Sequence, residues 1–253
     1  MGYADELFDL TGKVVVITGG SRGLGKEMAF ACAKLGADVV IASRKLDNCE
    51  QVAKEIEATT GSRAMPYGIH VGRWDEIGPF VDAVYERFGK VDVLINNAGM
   101  SPLYDRLSDI SEKMFDSVVN LNFKGPFRLA VLIGERMVEA GSGSIINVSS
   151  SGSIRPMPSI VPYAGAKAAL NAMTEGLALA FGPSVRVNTL MSGTMLTDIS
   201  KAWDLERVEH DLKKIALQRV GRPPEIIGAA LLLASNASTY TTGATIRVDG
   251  GIP

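Results

Sequence analysis

The sequence predicts an α/β protein: one domain built on a doubly wound, mostly parallel sheet of seven strands with helices on both faces. Three observations carry this. Short β-branched runs alternate with helical patterns along the whole of the 253 residues. The runs are apolar on both faces, as strands covered by helices on both sides are. No linker, low-complexity tract or internal repeat interrupts the alternation. Residues 1–253 therefore read as one domain, although roughly 150 residues per domain leaves one and two both open.

The elements follow in order. Lys13–Thr18 (KVVVIT) is the first strand, and Leu24–Leu35 the first helix. Asp38–Ser43 (DVVIAS) precedes a helix over Leu46–Thr59. Arg63–His70 is a weaker strand; Pro66 has no N–H for a ladder, which predicts an outer position in the sheet. Asp75–Phe88 is helical, and Val91–Ile95 (VDVLI) is the next strand. Ser111–Ala140 is a long helix that Gly125-Pro126 should bend. Ser144–Ser149 (SIINVS), a helix over Pro162–Phe181, Ser184–Leu190 (SVRVNTL), a helix over Pro224–Ser235 and Ala244–Val248 (ATIRV) complete the pattern. Strands alternating with helices predict right-handed βαβ units.

Composition narrows the function. The 26 basic and 28 acidic residues leave a net charge of −2, which argues against a nucleic-acid partner held by a broad basic field. Aromatics at 6% are too few for base-stacking platforms. No apolar run approaches the roughly 18 residues of a membrane span, and the first ten residues lack a signal pattern. Two cysteines, Cys32 and Cys49, read as buried structural thiols and fit a reducing, cytoplasmic setting. Two histidines without ligand spacing predict no metal site. The 27 glycines demand a reason of their own.

Part of that reason follows the first strand: Thr18-Gly19-Gly20-Ser21-Arg22-Gly23-Leu24-Gly25. A phosphate needs bare backbone N–H groups and the positive end of a helix dipole, and glycines let it approach. The spacing is T-G-x-x-x-G-x-G, with Gly19, Gly23 and Gly25 as fixed points. Gly20–Lys26 also matches the start of a nucleotide-triphosphate loop, but Glu27 stands where that loop needs Ser or Thr for magnesium. A dinucleotide in a Rossmann-type fold is the reading. NAD enzymes place a carboxylate at the end of the second strand; here the end reads Ala42-Ser43-Arg44-Lys45. Arg44, with Arg22 and Ser43, can instead hold a 2′-phosphate, which puts NADP(H) ahead of NAD(H).

Tyr163 and Lys167 are four apart near the start of a helix and share a face. Ser150 ends the preceding strand, and Asn122 lies just before the Gly-Pro bend, so both belong near the carboxyl edge of the sheet, where such sheets bind ligands. Hydride transfer to a carbonyl creates an alkoxide that needs a proton. A tyrosine can supply it, although its ordinary pKa near 10 is high for general catalysis at neutral pH. A lysine ammonium at about 4 Å would favour tyrosinate by up to roughly 4 kcal/mol at an effective dielectric near 20. That would bring Tyr163 toward neutrality.

Taken together, the chain resembles the short-chain dehydrogenases/reductases over almost its whole length. The motifs are Thr18–Gly25, Asn96-Asn97-Ala98-Gly99 after the fourth strand, Tyr163-x-x-x-Lys167 and the closing Val248-Asp249-Gly250-Gly251. Ser150 lies 13 positions before Tyr163, as the family's serine does, which selects it over Ser149 and Ser151. The resemblance implies that Ser150 orients the substrate oxygen, that Lys167 also binds the nicotinamide ribose, and that the backbone of Asn122 anchors a proton relay. It places Asn97, Ala98 and Gly99 beside the cofactor, with Gly193 and Thr197 at the nicotinamide end.

Two departures stand out. Where the family often has Asp-Val after the third strand, this chain has His70-Val71, and His70 either hydrogen-bonds adenine or caps a strand. Where the family usually has Pro-Gly, this chain has Ser192-Gly193.

The segment of about 191–215 closes over the substrate in the family, so Met191, Met195, Leu196 and Trp203 read as an apolar wall or as core. Met100, Ser101, Pro102 and Tyr104 are the opposing wall. Gly165, Gly176 and Gly228 suit close helix packing, within the chain or between subunits. The expected function is NADPH-dependent, reversible reduction of a small-molecule carbonyl, in a homotetramer or homodimer as the family implies. A 3-oxoacyl thioester reductase is the alternative within the class; Lys201, Arg207, Lys213 and Lys214 offer a carrier patch, but acidic residues interleave with them. A non-catalytic NADP-sensing regulatory protein is the alternative outside it.

Overall fold

A computed structural model of the chain describes residues 2–196 and 212–253. Seven parallel strands form one sheet: β1 (Val14–Thr18), β2 (Asp38–Ser43), β3 (Ala64–Gly68), β4 (Val93–Asn96), β5 (Gly143–Ser150), β6 (Val185–Ser192) and β7 (Thr245–Val248). Their order is β3-β2-β1-β4-β5-β6-β7. The Pro66 strand is thus at an edge, paired on one side only. All seven strand runs read from the sequence form strands, with ends shifted by a few residues.

The helices among the described residues are α1 (Tyr3–Phe8), α2 (Gly23–Lys34), α3 (Leu46–Thr60), α4 (Trp74–Phe88), α5 (Glu112–Val119), α6 (Gly125–Glu139), α7 (Val161–Phe181) and α8 (Ile227–Ala234). The short α1 has no forerunner in the sequence reading; it buries no residue, so no apolar stripe announces it.

Strand pleating splits the core in two. Val15 and Ile17 of β1 face one layer, with Met28 and Cys32 of α2, Ile56 of α3 and Leu233 of α8. Val14 and Val16 face the other, with Phe80 of α4, Ile133 of α6 and Phe181 of α7. Both faces of β1 are buried throughout, which is why its sequence does not alternate. The chain winds outward from β1 to β3, then returns to place β4 on the other side of β1. This reversal opens a crevice at the carboxyl ends of β1 and β4.

The expected Gly-Pro bend takes a specific form. Residues Asn120–Lys124 form a π turn between α5 and α6, and Gly125 N–H donates to Asn120 O, five residues back. Pro126 has no N–H to close the ordinary ladder at this point, so the widened turn relieves the defect.

A β-carbon on Gly165, Gly176 or Gly228 would meet nothing within 4 Å among the described residues, which leaves packing between subunits as the role these glycines suit. Cys32 and Cys49 are free and buried, and burial pushes the Cys32 thiol up to about 12.

Candidate active site

The glycine loop occupies the turn from β1 to α2. Gly19 and Gly23 have φ of 65° and 53°, which a side chain would strain. A β-carbon on Gly25 would collide with the Gly19 carbonyl oxygen. The loop therefore needs bare backbone, and it ends on the N-terminus of the 12-residue α2. Leu24 packs against the core beneath it.

The loop is stitched to β4 across the crevice. Thr18 Oγ1 accepts from Asn97 N at 3.0 Å and from Ala98 N at 3.1 Å. Asn97 Nδ2 donates to Thr18 O at 2.9 Å and Gly19 O at 3.3 Å. Exposed backbone donors at a helix start, in a cradle that side chains would fill, fit a dinucleotide pyrophosphate.

Beside this cradle lies the end of β2. Ser21 Oγ and Ser43 Oγ are 2.8 Å apart, and Ser43 Oγ is 3.1 Å from Cys49 Sγ. Arg22 and Arg44 are both exposed, and neither guanidinium has an ion pair among the described residues. Both remain free to meet an anion. The His70 side chain acts locally: Nδ1 accepts from Gly72 N at 3.2 Å, so it caps the turn after β3. Val71 next to it is buried, and its carbonyl closes on Gly125.

The second group converges from four elements. Lys167 lies one turn beyond Tyr163 on α7 and is 3% exposed. Its Nζ donates to Val148 O on β5 at 2.7 Å and lies 5.9 Å from the centre of the Tyr163 ring. Ser150, at the end of β5, lies close enough to the Tyr163 phenol to act on it, and its Oγ accepts from Gly152 N at 3.1 Å. Its neighbours do not compete for that role: Ser149 Oγ donates to the Lys167 carbonyl at 3.4 Å, and Ser151 is buried. Asn122 sits inside the π turn and is fully buried. Its Oδ1 accepts from Met100 N at 3.2 Å, and its Nδ2 donates to Met100 O and Val118 O, each at 2.9 Å. Gly99 joins the set, since a β-carbon there would lie 2.8 Å from Asn122 Oδ1 and 3.7 Å from Lys167 Nζ.

Burial dominates the electrostatics of the pair. It is the largest influence on the Tyr163 phenol and holds it above its ordinary range, and Ser150 opposes it only in part. Burial likewise pulls the Lys167 ammonium down to about 8. The protein interior penalises both charges, and the ammonium is turned to the Val148 carbonyl instead of the phenol oxygen.

Other sequence-read positions fare differently. Met195 is a correction: it is 6% exposed, belongs to the core layer of α2 and α8, and packs on Gly221, so it is no cleft wall. Gly193 packs tightly on Asp249, and its N–H donates to Val248 O at 2.9 Å. Thr197, Trp203, Lys201 and Arg207 lie outside the described residues.

Tyr104 lines the cavity beside Tyr163, with Pro102 and Ile160. Two residues that no motif marked support Ser150 from behind. Ser153 Oγ donates to Ser150 O at 2.6 Å, and Asn171 Nδ2 of α7 donates to Ser153 Oγ at 2.9 Å. Asn171 is eight residues beyond Tyr163, a helical spacing that the sequence did contain. Among the described residues no cluster of His, Cys, Asp or Glu is arranged to hold a metal, and no helix is long and apolar enough to cross a membrane.

Comparison with known proteins agrees with this geometry. A family profile described as Enoyl-(Acyl carrier protein) reductase matches residues 19–253. The NAD-dependent glycerol dehydrogenase of Listeria innocua is 34% identical over 249 residues, covering 98% of this chain and 96% of that one. The 3-oxoacyl-(acyl-carrier-protein) reductase FabG of Thermotoga maritima is 35% identical over 244 residues, covering 96% and 98%. A gluconate 5-dehydrogenase from Burkholderia cenocepacia, solved with NADP and tartrate, superposes with a TM-score of 0.94 at 30% identity, covering 99% of this chain and 98% of that one.

Proposed function

The chain belongs to the short-chain dehydrogenase/reductase family of oxidoreductases, which use a nicotinamide cofactor, and from that premise we propose that it is an NADPH-dependent carbonyl reductase acting on a small molecule. The observation that carries this reading is the convergence of Ser150, Tyr163, Lys167 and Asn122 beside a side-chain-free cradle at the switch of strand order.

Thr18, Gly19, Ser21, Gly23, Leu24 and Gly25 would hold the pyrophosphate, and Ala98, Gly99 and Gly193 would border the nicotinamide half. Thr197 joins that half in this reading. Arg44, Arg22 and Ser43 would read the 2′-phosphate; the missing carboxylate at the end of β2 and the unpaired guanidiniums support NADPH.

When bound, the nicotinamide supplies the hydride. Ser150 Oγ donates to the substrate carbonyl and fixes its direction. Tyr163 Oη gives its proton to the developing alkoxide; a phenol raised by burial holds that proton securely at neutral pH and serves as the acid of reduction. Lys167, charged below about pH 8, adds a positive charge to the crevice one turn from Tyr163 and would hold the ribose. The carbonyl of Asn122 anchors the relay that reprotonates Tyr163, and the π turn keeps its side chain occupied elsewhere.

The reading extends to a homotetramer or homodimer in the cytoplasm. The exposed stripe of Gly165, Gly176 and Leu179 on α7 supports self-association, and the two unpaired thiols support a reducing compartment. A 3-oxoacyl thioester is the second substrate reading, favoured by the resemblance to the Thermotoga maritima reductase.

The test is a panel of carbonyl compounds and a 3-oxoacyl thioester, run with NADPH and NADH in parallel. Turnover of a small carbonyl with preference for NADPH is expected. Selective turnover of the thioester moves the assignment to that class. A clear preference for NADH overturns the argument from Arg44 and Arg22. Tight NADPH binding with no turnover of any member overturns the enzyme in favour of a sensor.

A further inference from the structure

One hydroxyl ties together two segments that are remote in sequence. Tyr104 Oη accepts from Val161 N at 2.8 Å and donates to Pro158 O at 2.7 Å. Val161 is the first residue of α7, and its N–H is among the donors that a helix start leaves without an internal partner. Ile160 before it supplies no side-chain cap. The cap comes instead from across the cleft. Tyr163 is only two residues further along α7, and the Tyr104 ring lines the same narrow cavity as Pro102, Ile160 and Tyr163. A phenylalanine could line that cavity equally well, but it could not make the tie. The loop carrying Tyr104 also begins at Gly99 and Met100, which touch Asn122.

We propose that Tyr104 is a positioning residue: its hydroxyl latches the loop after β4 to the start of α7 and so sets the width of the substrate cleft at Tyr163. The kinetic consequence rests on the carbonyl-reductase reading; the tie itself does not. Two consequences follow from the geometry. The latch orients the first turn of α7, so loosening it misplaces the Tyr163 phenol relative to Ser150. It also holds two cleft walls at a fixed separation, so loosening it relaxes discrimination by substrate width.

The test is Tyr104→Phe, followed by amide hydrogen exchange and by kinetics on a slim and a branched ketone. Exchange at Val161 should quicken about fivefold or more, because its amide loses its acceptor. Turnover of the slim ketone should fall by about 3- to 20-fold, as expected for one or two lost neutral hydrogen bonds. NADPH affinity should stay within about twofold, since the Tyr104 hydroxyl bonds Pro158 and Val161 and not the cradle residues. The preference for the slim ketone over the branched one should shrink, a change that general destabilisation would not produce. Unchanged exchange at Val161 overturns the latch. Quickened exchange with unchanged turnover and unchanged preference overturns the positioning role. A native protein that reduces no ketone defeats the reductase reading, while the exchange measurement still decides whether the latch exists.

Discussion

The phosphate cradle between β1 and α2 is made of backbone, whereas the cluster around Tyr163 is made of side chains, and burial acts on them in opposite ways. The cradle works because its glycines carry no side chains: they leave bare the amide donors at a helix start. The cluster works by enclosure. Lys167 and Asn122 are almost wholly buried, and desolvation moves both Tyr163 and Lys167 away from their ordinary pKa values. A backbone site thus fails by gaining atoms, and a side-chain site by losing them.

The largest effect should come from Tyr163→Phe, which removes one oxygen from the enclosed cluster. Carbonyl reduction should fall about 10³-fold or more, in line with the loss of a general acid. NADPH binding, followed by fluorescence titration, should change by no more than a few-fold. A Phe variant with near-normal turnover would end the assignment.

Adding one carbon at the cradle should do the reverse. Gly25→Ala drives a methyl group into the Gly19 carbonyl, and overpacking of this kind costs about 1–3 kcal/mol in denaturant unfolding. NADPH affinity should fall with it, while any turnover at saturating NADPH keeps its pH profile. Arg44→Ala tests the rim between the two regions. Its removal should cut the NADPH-over-NADH preference by about tenfold or more, as loss of a charged hydrogen bond implies. An unchanged preference would show that the guanidinium never meets the 2′-phosphate.

The pH dependence separates activity from stability at one residue. Lys167 is lowered from 10.5 to about 8, so the unfolded chain binds more protons between those two values. Stability should therefore rise with pH across that window. Carbonyl reduction should decline above about pH 8, where the ammonium is lost. Lys167→Met should abolish the decline along with most turnover and raise Tm, by about 2–4 °C for each kcal/mol of burial cost removed. The smallest effect belongs to a glycine in neither region. Gly78 lies within α4, where a β-carbon meets no described residue beyond its chain neighbours; Pro79 follows it and crowds that β-carbon, so Gly78→Ala should change stability by less than about 1 kcal/mol and leave catalysis alone.

The cradle and the cluster also differ in how far the sequence reveals them. Thr18–Gly25 is contiguous, so its meaning is local and readable. Ser150, Tyr163, Lys167 and Asn122 are legible because each carries a motif, and the edge position of Pro66 follows from a missing N–H. What the sequence hides is what those residues touch. Met195 reads as a cleft wall or as core, and packing on Gly221 decides for the core. The helical glycines read as packing points within the chain or between subunits, and no described residue of this chain lies near them. His70 has two possible roles in the sequence, and only the fold shows its Nδ1 capping Gly72.

The sequence by itself determined the alternation of strands and helices, the buried sheet and the phosphate loop, because backbone preference and apolar patterning act over a few residues. The tertiary structure alone decided the π turn that presents Asn122, the turning of Lys167 to Val148 and the Tyr104 tie to Val161. Desolvation and hydrogen-bond partners depend on which distant segments meet, and a linear chain does not contain that information locally.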